Sequence, residues 1–170
     1  MYLLGHAGLT IAAVRAADRD AGLRLPALLA VVPDLIDKPV AWLLPAFANH
    51  NTRGIGHTFL AAFLTLAALL AWGRRIRRPL RLWCCCCLGH FILDRMWEFD
   101  NPAILLWPLM GPFPPPMPGG HIKALLFRYN VLGEAVGLAV LLNIFARHGL
   151  FEAARLRAFM KTGRLPQEGA

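Results

Sequence analysis

The run Thr58-Phe-Leu-Ala-Ala-Phe-Leu-Thr-Leu-Ala-Ala-Leu-Leu-Ala-Trp72 carries no charge on any side and is followed by Arg74-Arg75-Ile76-Arg77-Arg78. A helix that is apolar all round has no solvent face, so it belongs in the middle of a large core or in a bilayer. The chain has 170 residues, 57% of them hydrophobic and 16% charged, and a single core of that size cannot hide so much apolar surface. The expected class is therefore an all-α, polytopic membrane bundle. The net charge of +8 is read through membrane topology, and no nucleic-acid partner is expected.

Five apolar blocks separated by charge are expected to supply about five transmembrane segments. The first runs from Met1 to about Ala17; it lacks a basic leading region and a small-x-small cleavage site, and is read as mature structure rather than a removable signal. The second, Leu25 to Phe47, holds Pro26, Pro33, Pro39 and Pro45 and is expected to be a broken helix, or a helix followed by irregular chain. The third, Ile55 to Gly73, reads as the clearest crossing, spanning roughly 28 Å. The fourth, Leu80 to about Trp97, contains Cys84 to Cys87. Consecutive cysteines point around a helix rather than at one another, so they are read as small lipid-compatible side chains and not as a disulfide framework. The fifth runs from Ala124 to Ala146.

Between the fourth and fifth blocks, Asn101 to Pro118 is apolar but too rich in proline to be expected as a helix. Lipid cannot satisfy irregular backbone, so this outer loop should lie at the interface or pack on the bundle, where it is placed to act as a lid. Two domains follow: a transmembrane unit over 1–148, and a basic tail over 149–170 that begins as a short amphipathic helix and ends loose. Placing 15–24, 74–81 and 147–170 on one side gathers 13 of the 18 Lys and Arg residues there. By the positive-inside rule that side is cytoplasmic, with the N-terminus outside and the C-terminus inside.

Counted from the basic ends, His6, Asp34, His57, Asp94 and Glu134 fall roughly 13 to 26 Å into the bilayer. An ionised Asp at a helix centre costs about 2.5 to 3.5 kcal/mol on insertion scales, so these groups need a shared partner. His90 and Asp94 stand at i, i+4 on one helical face, Asp34 and Asp37 at i, i+3, and His57 opens the third block. Three His and three Asp from four blocks make a mixed nitrogen and oxygen donor set, suited to one or two divalent ions: zinc first, with Mn or Fe as alternatives. His6, Asp34, Asp37, His57, His90 and Asp94 are the expected ligands. Taken singly, each pair has an ordinary alternative as interhelical hydrogen-bonding groups.

The order Gly5-His6, Pro33-Asp34-Leu-Ile-Asp37-Lys-Pro39, Arg53-Gly-Ile-Gly-His57-Thr58, Gly89-His90-Phe-Ile-Leu-Asp94-Arg-Met-Trp97 and Leu106-Trp107-Pro108 resembles the YdjM-like family of inner-membrane proteins, classed as metal-dependent hydrolases. The resemblance covers roughly residues 1–146 and implies a polytopic helical fold, an inner-membrane location and a His/Asp metal site.

The residues and the resemblance together suggest metal-assisted hydrolysis of a phosphoester in a lipid or lipid-linked substrate that enters from the outer leaflet. Asp37 or Glu134 would be the general base, and Arg53 would steady the anionic group. Arg53 reads equally well as an interfacial arginine pairing with headgroups. Trp42, Trp97 and Trp107 read as interfacial anchors or as groove walls, and His50 and His121 as loop histidines able to approach the site. Glu134 needs a partner, with Arg128 or the metal site as candidates. A different class stays open: a non-enzymatic membrane protein with a structural metal site or an ion-binding role.

Overall fold

A computed structural model describes residues 3–72, 78–98, 101–115 and 128–167. Among these residues the only regular structure is helix. Helix α1 (Leu3–Ala17) leads through a short linker to α2 (Arg24–Leu43), which packs beside it. The short helix α3 (Pro45–Ala48) and a 3-10 turn (Ile55–His57) precede α4 (Phe59–Ala71). Helix α5 (Pro79–Leu93) and the short α6 (Asn101–Leu105) follow, then α7 (Arg128–Arg147) and α8 (Ala153–Thr162).

Helix α2 runs without interruption through Pro33 and Pro39. The break expected inside this block falls later, at Leu44, between Leu43 and Pro45. Each internal proline removes one N–H bond, and packing against α1, the 3-10 turn and α5 holds the helix together regardless. The third block is also shorter than its apolar run suggests. Its helix has 13 residues and is about 20 Å long, because Ile55–His57 is spent on the tight turn and Thr58 takes the cap position. Thr58 is extended (φ −93°, ψ 153°) and its hydroxyl accepts from the Ala61 N–H at 3.0 Å, as a helix N-cap requires. Gly73 to Arg77, which end that block in the sequence, lie outside the described residues.

Among the described residues, the helix long and apolar enough to cross a membrane by itself is instead in the fifth block, Tyr129–Arg147, 19 residues of which few are fully buried. Helices α1, α4 and α5 are apolar but shorter. Phe63, Leu64, Leu70, Leu132 and Leu138 stand on the outside of α4 and α7, a surface that water does not favour.

Helices α1 and α7 meet backbone to backbone. A Cβ on Gly8 would lie 2.2 Å from the Gly137 carbonyl oxygen, and one on Gly137 would lie 2.3 Å from that of Leu4. Only glycine permits this approach, the means by which membrane helices pack closely without a hydrophobic driving force between them. On the other side of α1, the core gathers Leu29, Leu69, Trp83, Phe91, Met96, Ile104 and Phe113. Trp83 donates its indole N–H to the Ala62 carbonyl at 2.7 Å, tying α5 to α4.

The four cysteines are free and fall in a π-helical turn, Cys84–Leu88, within α5. Such turns rotate the face that follows them, here the one carrying His90 and Asp94. The proline-rich segment departs from expectation at its start. Asn101–Leu105 is helical, because Pro102 sits in the first turn where its missing N–H costs nothing. The next residues pack on the bundle, with Phe113 buried and Trp107 stacked on it at 5.1 Å. Asn49 and Asn51 donate their side-chain amides to the carbonyls of Phe113 and Pro114, each at 3.0 Å. Residues 116–127, including His121 and Lys123, lie outside the described set, as does the side chain of Arg128.

Candidate metal centre

Four elements deliver the polar side chains to one end of the bundle. His6 comes from the first turns of α1, Asp34 and Asp37 from α2, His57 from the 3-10 turn, and His90 and Asp94 from the end of α5. His6, His57 and His90 are each 0% exposed, and Asp34, Asp37 and Asp94 are buried with them. The ligand atoms of His6, His90 and Asp94 lie within 4.8 Å of one another, as do those of Asp34, His57 and His90. The two groups share His90, so five of the six expected ligands gather at one place.

Asp37 lies behind the site rather than in it. Its Oδ1 accepts from the Gly56 N–H at 2.7 Å, while its Oδ2 accepts from the Gly54 N–H at 2.7 Å and from His57 Nδ1–H at 2.6 Å. Expected as ligand and base, it instead clamps the 53–57 loop and orients the His57 ring, as carboxylates behind metal-binding histidines do. Gly56 makes this possible: a Cβ there would lie 2.6 Å from the Pro33 carbonyl oxygen, so only glycine lets the turn press against α2.

The hydrogen-bond partners fix which ring nitrogens carry hydrogen. The Asp37 carboxylate and the Ala30 carbonyl only accept, so His57 and His90 each commit their Nδ1 hydrogen to them, His90 at 2.9 Å. Pro33 lies three residues on from Ala30, and its missing N–H loosens the backbone ladder beside the carbonyl that holds His90. In the neutral rings both Nε2 atoms then present lone pairs. These face each other at 3.1 Å, and His57 Nε2 faces Asp94 Oδ2 at 3.2 Å. With both rings neutral, three acceptors meet in a buried place, and either a cation or a second proton on His57 answers their repulsion.

The remaining contacts complete the shell. His6 Nε2 lies 2.9 Å from Asp94 Oδ1, its ring stacks on His90 at 3.9 Å, and its buried Nδ1 has no hydrogen-bond partner among the described residues. Lys38 Nζ lies 3.2 Å from Asp34 Oδ2. Arg53 reaches over the mouth, its Nε donating to Asp94 Oδ2 and its Nη1 to Asn101 Oδ1, both at 3.2 Å. Arg53 is therefore attached to the site and is not simply a headgroup anchor.

Glu134, the other expected base, sits at the start of α1 and accepts the backbone N–H groups of Leu4 and Gly5, each at 3.0 Å. A carboxylate there satisfies orphan donors and suits the positive end of the helix dipole, and it fixes the turn that carries His6. Neither this cap nor the Asp37 clamp to Gly54 and Gly56 was foreseen, because both use backbone groups, which carry no residue-type signal. His50 is exposed on the loop after α3, outside the cluster. Trp42 and Trp97 are exposed, whereas Trp107 belongs to an aromatic cluster with Phe47 and Phe113.

The YdjM inner membrane protein family matches the chain over residues 1–157. This chain belongs to that family. No curated protein and no solved structure matches it. As a YdjM family member it is an inner-membrane protein, and its buried His/Asp groups could hold a metal ion.

Proposed function

We propose that this YdjM family member is a membrane-embedded metal-dependent hydrolase that cleaves a phosphoester in a lipid or lipid-linked substrate. The observation that carries the reading is the meeting of His57 Nε2, His90 Nε2 and Asp94 Oδ2 with both Nδ1 hydrogens already committed. His6, His57, His90, Asp94 and Asp34 would hold one or two ions, and the nitrogen-rich donor set favours zinc. Bound there, a divalent ion supplies Lewis acidity, which activates water and polarises a phosphoryl oxygen.

The chain's own residues supply the rest. Arg53, partly exposed over the mouth, presents a guanidinium to an anionic group and keeps its hold on Asp94. Asp37 holds His57 in one tautomer and orientation. With Asp37 and Glu134 engaged elsewhere, Asp34 is the carboxylate placed to take a proton, steadied by Lys38. Five crossings, with the N-terminus outside, put this end of the bundle toward the outer leaflet; the irregular backbone there is packed in protein, as a bilayer demands.

A non-enzymatic clamp is the second reading. It is favoured by Asp94, which already gathers His6, His57 and Arg53 and would be satisfied by a doubly protonated His57 without any metal. The two readings separate on purified protein: metal analysis, then hydrolysis of phospholipids, lipid phosphates and polyprenyl phosphates in mixed micelles. The hydrolase reading expects one or two bound divalent ions and turnover that falls about 100-fold in Asp34→Asn with metal retained. Metal-loaded protein that hydrolyses no member of the panel would leave the clamp.

A further inference from the structure

The opposite end of the bundle holds a cleft of about 400 Å³ lined by Arg15, Arg19, Asp20, Ala21, His148 and Arg164. Its walls come from three distant stretches: the end of α1 with the linker after it, the turn after α7, and the chain that follows α8. That last stretch is not the loose tail expected from sequence, because it is strapped down. The Leu23 N–H donates to the Gly163 carbonyl at 2.8 Å, Arg24 Nη1 to the Lys161 carbonyl at 3.1 Å, and His148 Nδ1 to the Pro166 carbonyl at 2.6 Å. Gly163 is left-handed (φ 71°), and a Cβ there would meet Arg24 Cγ at 2.7 Å, so the strap is built to lie flat.

Inside the cleft the charges are unevenly satisfied. Arg15 Nη1 donates to the buried His148 Nε2 at 3.1 Å, which fixes that wall. The guanidinium groups of Arg19 and Arg164 have no polar partner among the described residues. Three arginines thus face one concave space that holds a single carboxylate, Asp20. The fold strap brings Arg164 beside Arg15 and Arg19, although some 145 residues separate them along the chain.

We propose that this cleft binds a phosphate-bearing anion. Planar guanidinium forks match phosphate oxygens in pairs, and a basic pocket between helix ends on the positive side of a membrane protein is the kind of place where anionic headgroups lodge. The chemistry is shared by an anionic lipid headgroup and a free phosphate compound. The site lies at the other end of the helices from the metal centre and stands independently of the hydrolase reading.

The test uses the full chain in zwitterionic detergent, with two probes: phosphatidylglycerol against phosphatidylcholine by native mass spectrometry, and inorganic phosphate by thermal protection. Wild type should retain phosphatidylglycerol over phosphatidylcholine, or be protected by phosphate. The first result identifies a lipid headgroup as the source and the second a soluble anion. Arg19→Gln with Arg164→Gln should weaken whichever binding is seen by about 30-fold, and Arg19→Gln alone, which leaves the strap untouched, by about fivefold. Arg157→Gln, on the exposed face of α8, should change neither. Binding by the double variant equal to wild type, or no preference and no protection in wild type, overturns the proposal.

Discussion

The two ends of this bundle handle charge in opposite ways. At the end formed by the start of α1 and the close of α5, three histidines and three aspartates are buried together, and Asp37 holds His57, Ala30 holds His90 and Arg53 holds Asp94. At the other end, the guanidinium groups of Arg19 and Arg164 stand exposed around a cleft with no polar partner among the described residues. Burial strengthens each interaction and makes an unpaired group costly, so the first end must be preorganised and rigid. Water tolerates unpaired cations, so the second end can remain open to an exchanging ligand. One helix, α1, serves both: its first turns carry His6 and its last carries Arg15.

The sharpest break of this contrast is at His90, which belongs to both potential ligand groups. His90→Ala or Asp94→Ala should lower divalent-metal occupancy more than 100-fold in a chelator titration, with circular dichroism near wild type. Occupancy unchanged in a His57→Ala, His90→Ala double variant would remove the metal centre from the account. Asp37→Asn should come next, at 10- to 100-fold weaker metal binding, because an amide can turn a donor toward His57 and release its tautomer. If Asp37→Asn binds metal as wild type does but loses turnover, Asp37 is a base after all.

Smaller effects test how the ends are held apart. Gly8→Ala should destabilise the fold by about 2 kcal/mol, through overpacking where α1 crosses α7, and should lower the midpoint of thermal unfolding in detergent. An unchanged midpoint would mean that the two backbones do not touch. Glu134→Ala should cost about 1 kcal/mol by uncapping α1, and should weaken metal binding only slightly through His6. A loss of metal as deep as that in His90→Ala would place Glu134 among the ligands.

Local chemistry in the sequence was enough for some features. The i, i+4 spacing of His90 and Asp94 puts both on the inner face at the end of α5. His6, Asp34 and His57 join them because each lies at a similar distance from a basic helix end. The proline arguments were weaker: α2 passes through Pro33 and Pro39, and Asn101–Leu105 is helical. In both places the cost of one missing N–H is a few kcal/mol at most, and position in the helix or packing outweighs it.

The sequence by itself determined an all-helical, lipid-suited chain, with its His and Asp residues toward one end and its arginines toward the other, since periodicity, hydropathy and charge are local properties. Only the tertiary structure decided that Asp37 stands behind His57, that Glu134 caps α1, and that Arg164 faces Arg15 and Arg19. Each of these depends on a backbone N–H, a carbonyl or a distant stretch of chain brought near by packing, and such groups are the same in every residue until the fold gives them a neighbour.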